Sequence, residues 1–382
     1  MKKYRLFVVI SAVCITLSIF YSLVGVSQTP KSKVILSTNP PLERLFPFEA
    51  ATEKAQAPVN FTLEAVDAAG KNLENAVIKL EISTPKPTPW LTTDFPIVEG
   101  TKLLAMEVAA PKGKLEFQQV LPIRGDYQIL AKVTPVVENA FEPYQETLNF
   151  HVRENPVKYK YFAILAAILL AMGLFGGWVI GGQEELRQGE IAPQSVRLLL
   201  SGLTVIAIVT LLFINITAEV AQAHGSEHDH KLEKIAPSVV KSQNFDVKID
   251  GDKTATVGKL ANLSVEVKDN TGKPIKDAVI DVKSVALEDN LTVFAYQGFS
   301  NQDGKLIWRS QFFDGAPHKV EVEVSNRQLP PIKVAQLVEV EGIQPPMLTR
   351  LISLFYLTGI VGIGMTIGLF MQELRKRQLR GI

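Results

Sequence analysis

The sequence predicts a membrane protein with four transmembrane α-helices and two all-β sandwich domains, a tandem duplication of a helix–sandwich–helix unit. Three observations carry this reading. Four long apolar runs lack any charge, a stretch of one segment between them matches a stretch of another without a gap, and those segments alternate apolar and polar residues with a period of two.

The apolar runs come first because they fix the class. They are "LFVVISAVCITLSIFYSLVG" (6–25), "YFAILAAILLAMGLFGGWVIGG" (161–182), "LLLSGLTVIAIVTLLFINI" (198–216) and "LISLFYLTGIVGIGMTIGLFM" (351–371). Each has about the 20 residues that a helix rising ~1.5 Å per residue needs to cross a ~30 Å hydrocarbon core. Over the whole chain, 40 Lys and Arg face 39 Asp and Glu, a formal charge of +1. That balance gives no global basic surface and argues against a nucleic-acid partner.

Flanking charge sets the orientation. Lys2, Lys3 and Arg5 precede the first run, and Arg375, Lys376, Arg377 and Arg380 follow the last, so both termini are expected in the cytoplasm. The expected order is a tail and first helix (1–27), a first external domain (28–158), a second helix (159–182) and a cytoplasmic loop (183–197). A third helix (198–217), a histidine-containing linker (218–236), a second external domain (237–345), a fourth helix (349–371) and a basic tail (372–382) complete it. The loop "QEELRQGEIAPQSVR" carries two Arg against three Glu and gives the topology no support. The single cysteine, Cys14, lies in the first run, so the external domains have no disulfide. That pattern points to a bacterial inner membrane with both domains in the periplasm. Gly25 and Ser27 offer a signal-peptidase site, but a 20-residue run exceeds the usual 7 to 15 residues of a signal sequence, which favours an uncleaved anchor.

The external segments repeat. "NFTLEAVDAAGKNLENAVIKL" (60–80) matches "NLSVEVKDNTGKPIKDAVIDV" (262–282) without a gap, and "GKLEFQQVLPIRGDYQILAKV" (113–133) parallels "GKLIWRSQFFDGAPHKVEVEV" (304–324). Leu263, Val265 and Val267 alternate with Ser264, Glu266 and Lys268, as do Val320, Val322 and Val324 with their neighbours, so one face of each strand is buried. "DNTGKPI" and "NQDGK" supply the Asn, Asp, Gly and Pro of tight turns. Short strands with regular turns indicate two packed sheets.

On these residues, "VEVKDNTGKPIKDAVIDV", "SNQDGKLIW" and "GAPHKVEVEV", the chain resembles the bacterial Ig-like or transthyretin-like β-sandwich modules of envelope proteins. The resemblance implies an Ig-like fold and leaves function open, since such modules serve as adhesins, spacers and binding units. The first copy departs from the pattern by a proline-rich insertion, "STPKPTPWLTTDFPIVEG" (83–100), around Trp90. Trp90 is either a docking point or folded back on the sandwich.

The cores of all four runs lack Asp, Glu, Lys, Arg and His, so autonomous transport and proton relay are not expected. Two runs instead carry ladders of small residues: Gly173, Gly177 and Gly181, then Thr358, Gly362 and Thr366 beside Gly364 and Gly368. Residues spaced by four share a helix face and let backbones approach, either within the chain or in a homodimer or larger membrane complex.

No enzyme is expected. "GLFGGW" lies inside an apolar run and is no phosphate loop, and no nucleophile is tied to Asp314 and His318 of "FFDGAPH". His318 is expected as a surface residue of that turn. No cofactor is called for, with one qualification: "AEVAQAHGSEHDHKLEK" (218–234) places His224, His228 and His230 beside Glu227 and Asp229, a donor set for Zn, Cu, Ni or Co. The spacing is not that of a structural zinc site, and a solvated spacer is the favoured reading. Cleavage after the Ala221–Ala223 pair is a third reading. The segment resembles the short histidine stretches found after export signals in bacterial periplasmic proteins that accompany heavy-metal efflux. Two functions follow as expectations. One is a non-enzymatic membrane protein that presents two periplasmic Ig-like domains to a protein partner in an envelope or efflux assembly; the other is a metal-handling accessory.

Overall fold

Period-two alternation becomes strands wherever it occurs, because a strand sends successive side chains to opposite faces. The structure is a computed structural model and describes residues 31–48, 58–88, 93–182, 193, 196–200, 202–203, 238–241, 245–288, 290–326 and 329–380. The first half holds β1 (Lys33–Asn39), β2 (Val59–Val66), β3 (Ala76–Ser83), β4 (Lys102–Ala110), β5 (Lys114–Gln119), β6 (Gly125–Pro135) and β7 (Tyr144–Val152), followed by helix α1 (Pro156–Ile180). The second holds β8 (Val239–Lys241), β9 (Phe245–Gly251), β10 (Thr254–Thr256), β11 (Leu260–Asp269), β12 (Val279–Ala286), β13 (Leu291–Phe299), β14 (Lys305–Gln311), β15 (His318–Asn326) and β16 (Leu329–Glu341), followed by helix α2 (Met347–Arg380).

The same turn closes β2 and β11. Asp67 Oδ1 accepts from the amides of Ala69 at 2.8 Å and Lys71 at 2.9 Å, and Asp269 Oδ1 accepts from those of Thr271 at 2.8 Å and Lys273 at 2.9 Å. Gly70 and Gly272 sit at φ of 84° and 81°, the left-handed region where a side chain is strained. This is the physical content of the shared "D-x-x-G-K" in the two segments.

The strands form two eight-stranded sheets, and each runs through both halves. One has the order β1-β2-β5-β13-β12-β15-β16-β10, the other β7-β6-β3-β4-β14-β11-β9-β8. The halves therefore meet along two seams. At one, β5 pairs antiparallel with β13, matching Phe117 to Tyr296 and Gln119 to Phe294. At the other, β14 pairs antiparallel with β4, matching Trp308 to Met106 and Ile307 to Glu107. Each seam joins the strand opened by "GKL" in one half to the strand before it in the other, so the pairing looks the same with the halves exchanged. The inner faces share one core, in which Phe61, Phe117, Phe294, Trp308 and Phe312 are all buried. Burying a side chain of this size stabilises by about 1.5–3 kcal/mol relative to leaving it exposed. The two sandwiches expected as separate domains are thus one continuous sandwich.

The expectation of four transmembrane helices is corrected. Among the described residues two helices are long and apolar enough to cross a membrane, Pro156–Ile180 and Met347–Gln378. The 6–25 run lies outside the described residues, and of the 198–216 run only 198–200 and 202–203 are described, as helix. Among the described residues each set of strands is followed by one long helix. An uncharged run of about 20 residues meets the length condition for a span, but signal sequences and buried core helices meet it too.

Candidate functional site

The chain's distinctive geometry lies in three places: the helix pair, a groove over one seam, and the core around His318.

Helix α1 starts from a capped and ion-paired junction with the sandwich. Asn155 caps it, its side chain accepting from the Val157 amide at 3.0 Å, and Pro156 supplies the first-turn geometry. Before the cap, the Glu154 carboxylate takes Arg124 at 2.6 Å and Lys158 at 3.6 Å, and Lys158 also reaches Asp94 of the inserted loop. From there α1 and α2 run in the same direction in backbone contact. A methyl group added at Gly173 would collide with the Val361 carbonyl and lie 3.0 Å from the Met365 amide nitrogen. One at Gly364 would collide with the Leu170 carbonyl and lie 3.0 Å from the Leu174 amide nitrogen. One turn on, Gly177 meets Met365 and Leu369 while Gly368 meets Leu174 and Trp178. The contacts repeat with the helices exchanged, as the seams do. Close approach of small residues is what draws helices together in lipid. Large apolar side chains such as Phe162, Phe175, Phe355 and Phe370 are exposed around the pair.

A methyl group added at Gly181 would lie 3.0 Å from the Gln372 Cβ, whereas one added at Gly362 would meet nothing within 4 Å among the described residues outside its own helix turn. Thr358 and Thr366 donate to the carbonyls of Leu354 and Gly362 in their own helix, at 2.8 Å and 2.9 Å. The ladder read from the sequence therefore divides into a packed row, Gly173, Gly177, Gly364 and Gly368, and an open row on α2.

On the outer face of the second sheet a groove of about 1030 Å³ crosses the β4–β14 seam. Lys79, Ala105, Glu107, Ile307 and Arg309 form its floor, and Phe299 with the following loop forms one wall. Lys79 and Glu107 lie 4.0 Å apart, and Ile307 is half exposed. Nothing in the sequence signalled this groove, since its residues come from both halves.

His318 is not at the surface as expected; it is fully buried. Its Nδ1 lies 2.7 Å from the Ala316 carbonyl and so carries the proton it donates, while Nε2 is a buried acceptor without a partner among the described residues. The ring packs 4.6 Å from Phe312. Burial pushes its pKa down from 6.5 to about 4, slightly opposed by the Ala316 hydrogen bond. The signal was present: His318 occupies the inward register of Val320, Val322 and Val324, opposite Tyr127 in the aligned segments. Tyr127 is buried likewise, donating to the Ile123 carbonyl at 2.7 Å, accepting from its amide at 3.1 Å and stacking on Phe150 at 5.2 Å.

His224, His228 and His230 lie outside the described residues, as does Trp90. Among the described residues no group of three or more His, Cys, Asp or Glu side chains is placed to hold a metal ion. The described part of the inserted loop packs on both halves, with Phe95 5.3 Å from Phe313 and 6.2 Å from Phe48.

No family model matches the chain, and no curated protein matches its sequence. Solved structures do show likeness. A conjugative transposon lipoprotein from Bacteroides eggerthii is 11% identical with a TM-score of 0.19, over 25% of this chain and 98% of that one. The CARDB domain of a Pyrococcus furiosus protein, solved in complex with di-metal ions, is 15% identical with a TM-score of 0.20, over 28% of this chain and 100% of that one. The D0-D1 domain of intimin is 11% identical with a TM-score of 0.19, over 80% of this chain and 97% of that one. With TM-scores this low, the β-sandwich is defined by the strand pairing itself.

Proposed function

We propose that this chain is a non-enzymatic membrane-anchored platform, held by two parallel spans and presenting one fused Ig-like sandwich to a protein partner at the bacterial cell envelope, with the sandwich on the periplasmic side. The observation that carries the reading is the groove over the β4–β14 seam, which exists only when both halves are assembled. Its half-exposed Ile307 beside small residues and opposed charges has the mixed character of a protein-binding surface. The symmetric contacts of seams and helices support an internal repeat of sandwich plus helix, and the exposed apolar side chains of α1 and α2 support insertion in lipid.

A photo-crosslinking side chain placed at Ile307 in the full chain in its native membrane tests this. The expected result is one discrete heavier species, absent when the same group is placed at Lys333 on the other sheet and lost on Arg309→Glu. Recovery of monomer alone from position 307 overturns the reading.

A further inference from the structure

We infer that the end of the helix pair far from the sandwich is a binding site for the phosphate headgroup of an anionic membrane lipid, formed by Trp178 of α1 with Arg375 and Lys376 of α2. The inference rests on the reading of both helices as spans. The apolar run of α2 ends at Met371, after ~30 Å of helix, and Arg375 follows about one turn later, at the depth of the headgroups. α1 stops at Ile180 while α2 continues to Arg380, so a basic helical extension, four basic residues against the single acidic Glu373, stands beside the end of its partner.

The two helices meet there through a side chain from each. The Arg375 guanidinium lies over the Trp178 ring, 5.6 Å from its centre. A guanidinium held over a ring by its charge spends none of its hydrogen bonds on the ring, so its N–H groups can bind the oxygens of a phosphate in a bidentate manner. Arg377 is partly committed, 3.5 Å from Glu373. Among the described residues no acidic side chain pairs with Arg375 or Lys376. A cation held over an indole at headgroup depth, with a second cation next to it in the chain and no acidic partner for either among the described residues, favours a headgroup of net negative charge over a zwitterionic one.

The test uses the full-length chain in vesicles of phosphatidylcholine, or of phosphatidylcholine with phosphatidylglycerol, in which one lipid at a time carries brominated chains that quench nearby tryptophan. Subtracting the signal of Trp178→Phe isolates Trp178. At equal mole fraction brominated phosphatidylglycerol is expected to occupy the site several-fold more than brominated phosphatidylcholine, at about five-fold per basic side chain. Arg375→Gln with Lys376→Gln should abolish the preference while phosphatidylcholine still quenches; Arg377→Gln should reduce it less than Arg375→Gln does. Equal quenching by the two lipids in the unaltered chain, or equal loss from all three basic positions, overturns the site and leaves the spans standing. Absence of quenching by either lipid overturns the spans themselves.

Discussion

Tyr127 and His318 occupy matching places in the two halves, each buried at the inward-facing start of a long strand and bonded to the backbone a few residues upstream. The phenol satisfies both its donor and its acceptor on Ile123, and burial raises its pKa further from any accessible pH. The imidazole satisfies one nitrogen and leaves the other bare, and burial brings its titration into the acid range. One position in one fold thus gives a pH-inert half and a pH-sensitive half. The comparison extends to the rest of the molecule: the halves agree in the pairing of their seams and in their glycine contacts, and differ in the inserted loop, at this core position and in the length of the helix that follows the strands.

The largest effect is expected where the halves agree. Gly177→Leu or Gly368→Leu forces a branched side chain into a backbone contact and should cost about 3 kcal/mol, read as a drop in Tm of the full chain in mild detergent. Gly362→Leu, on the open row, should leave Tm nearly unchanged. Equal effects at 177 and 362 would remove the distinction between the two rows.

His318 comes next. Its folded pKa lies below the unfolded value, so the unfolded chain binds the extra proton; stability is complete above about pH 6.5 and falls as pH drops toward 4. The loss should approach about 3 kcal/mol at pH 4, seen as a falling urea midpoint that is absent in His318→Phe. A midpoint that falls equally in the variant would place the titrating group elsewhere. The smallest effect is expected from Tyr127→Phe, which strips the Ile123 backbone of its partner for about 1 to 2 kcal/mol. It should lower the midpoint equally from pH 4 to pH 7, in contrast to His318→Phe.

The strands were legible because alternation such as Leu263, Val265 and Val267 survives any choice of neighbour. For the same reason the seams were not. Phe117 and Gln119 of β5 face inward whether the next strand belongs to their own half or, as found, is β13 of the other. The packed glycine row was legible from its four-residue spacing, though the sequence did not say which glycines would pack. The groove could not be read, because Lys79 and Arg309 become neighbours only once the seam forms. His318 was misplaced because a turn motif outweighed the strand register that it also obeys.

The fused sandwich is tested most directly at its outward-facing seam, where Glu107 and Ile307 are register partners on β4 and β14. In a chain freed of Cys14, cysteines at 107 and 307 stand at the ~4.5–5.5 Å Cα spacing of directly opposed antiparallel residues, within reach of a disulfide. Mild oxidation should give an intrachain bond in nearly every molecule, and cysteines at 79 and 307, two strands apart, should give none. Failure of the 107–307 pair to close would mean that the halves do not share a sheet, and would contradict the account at its centre.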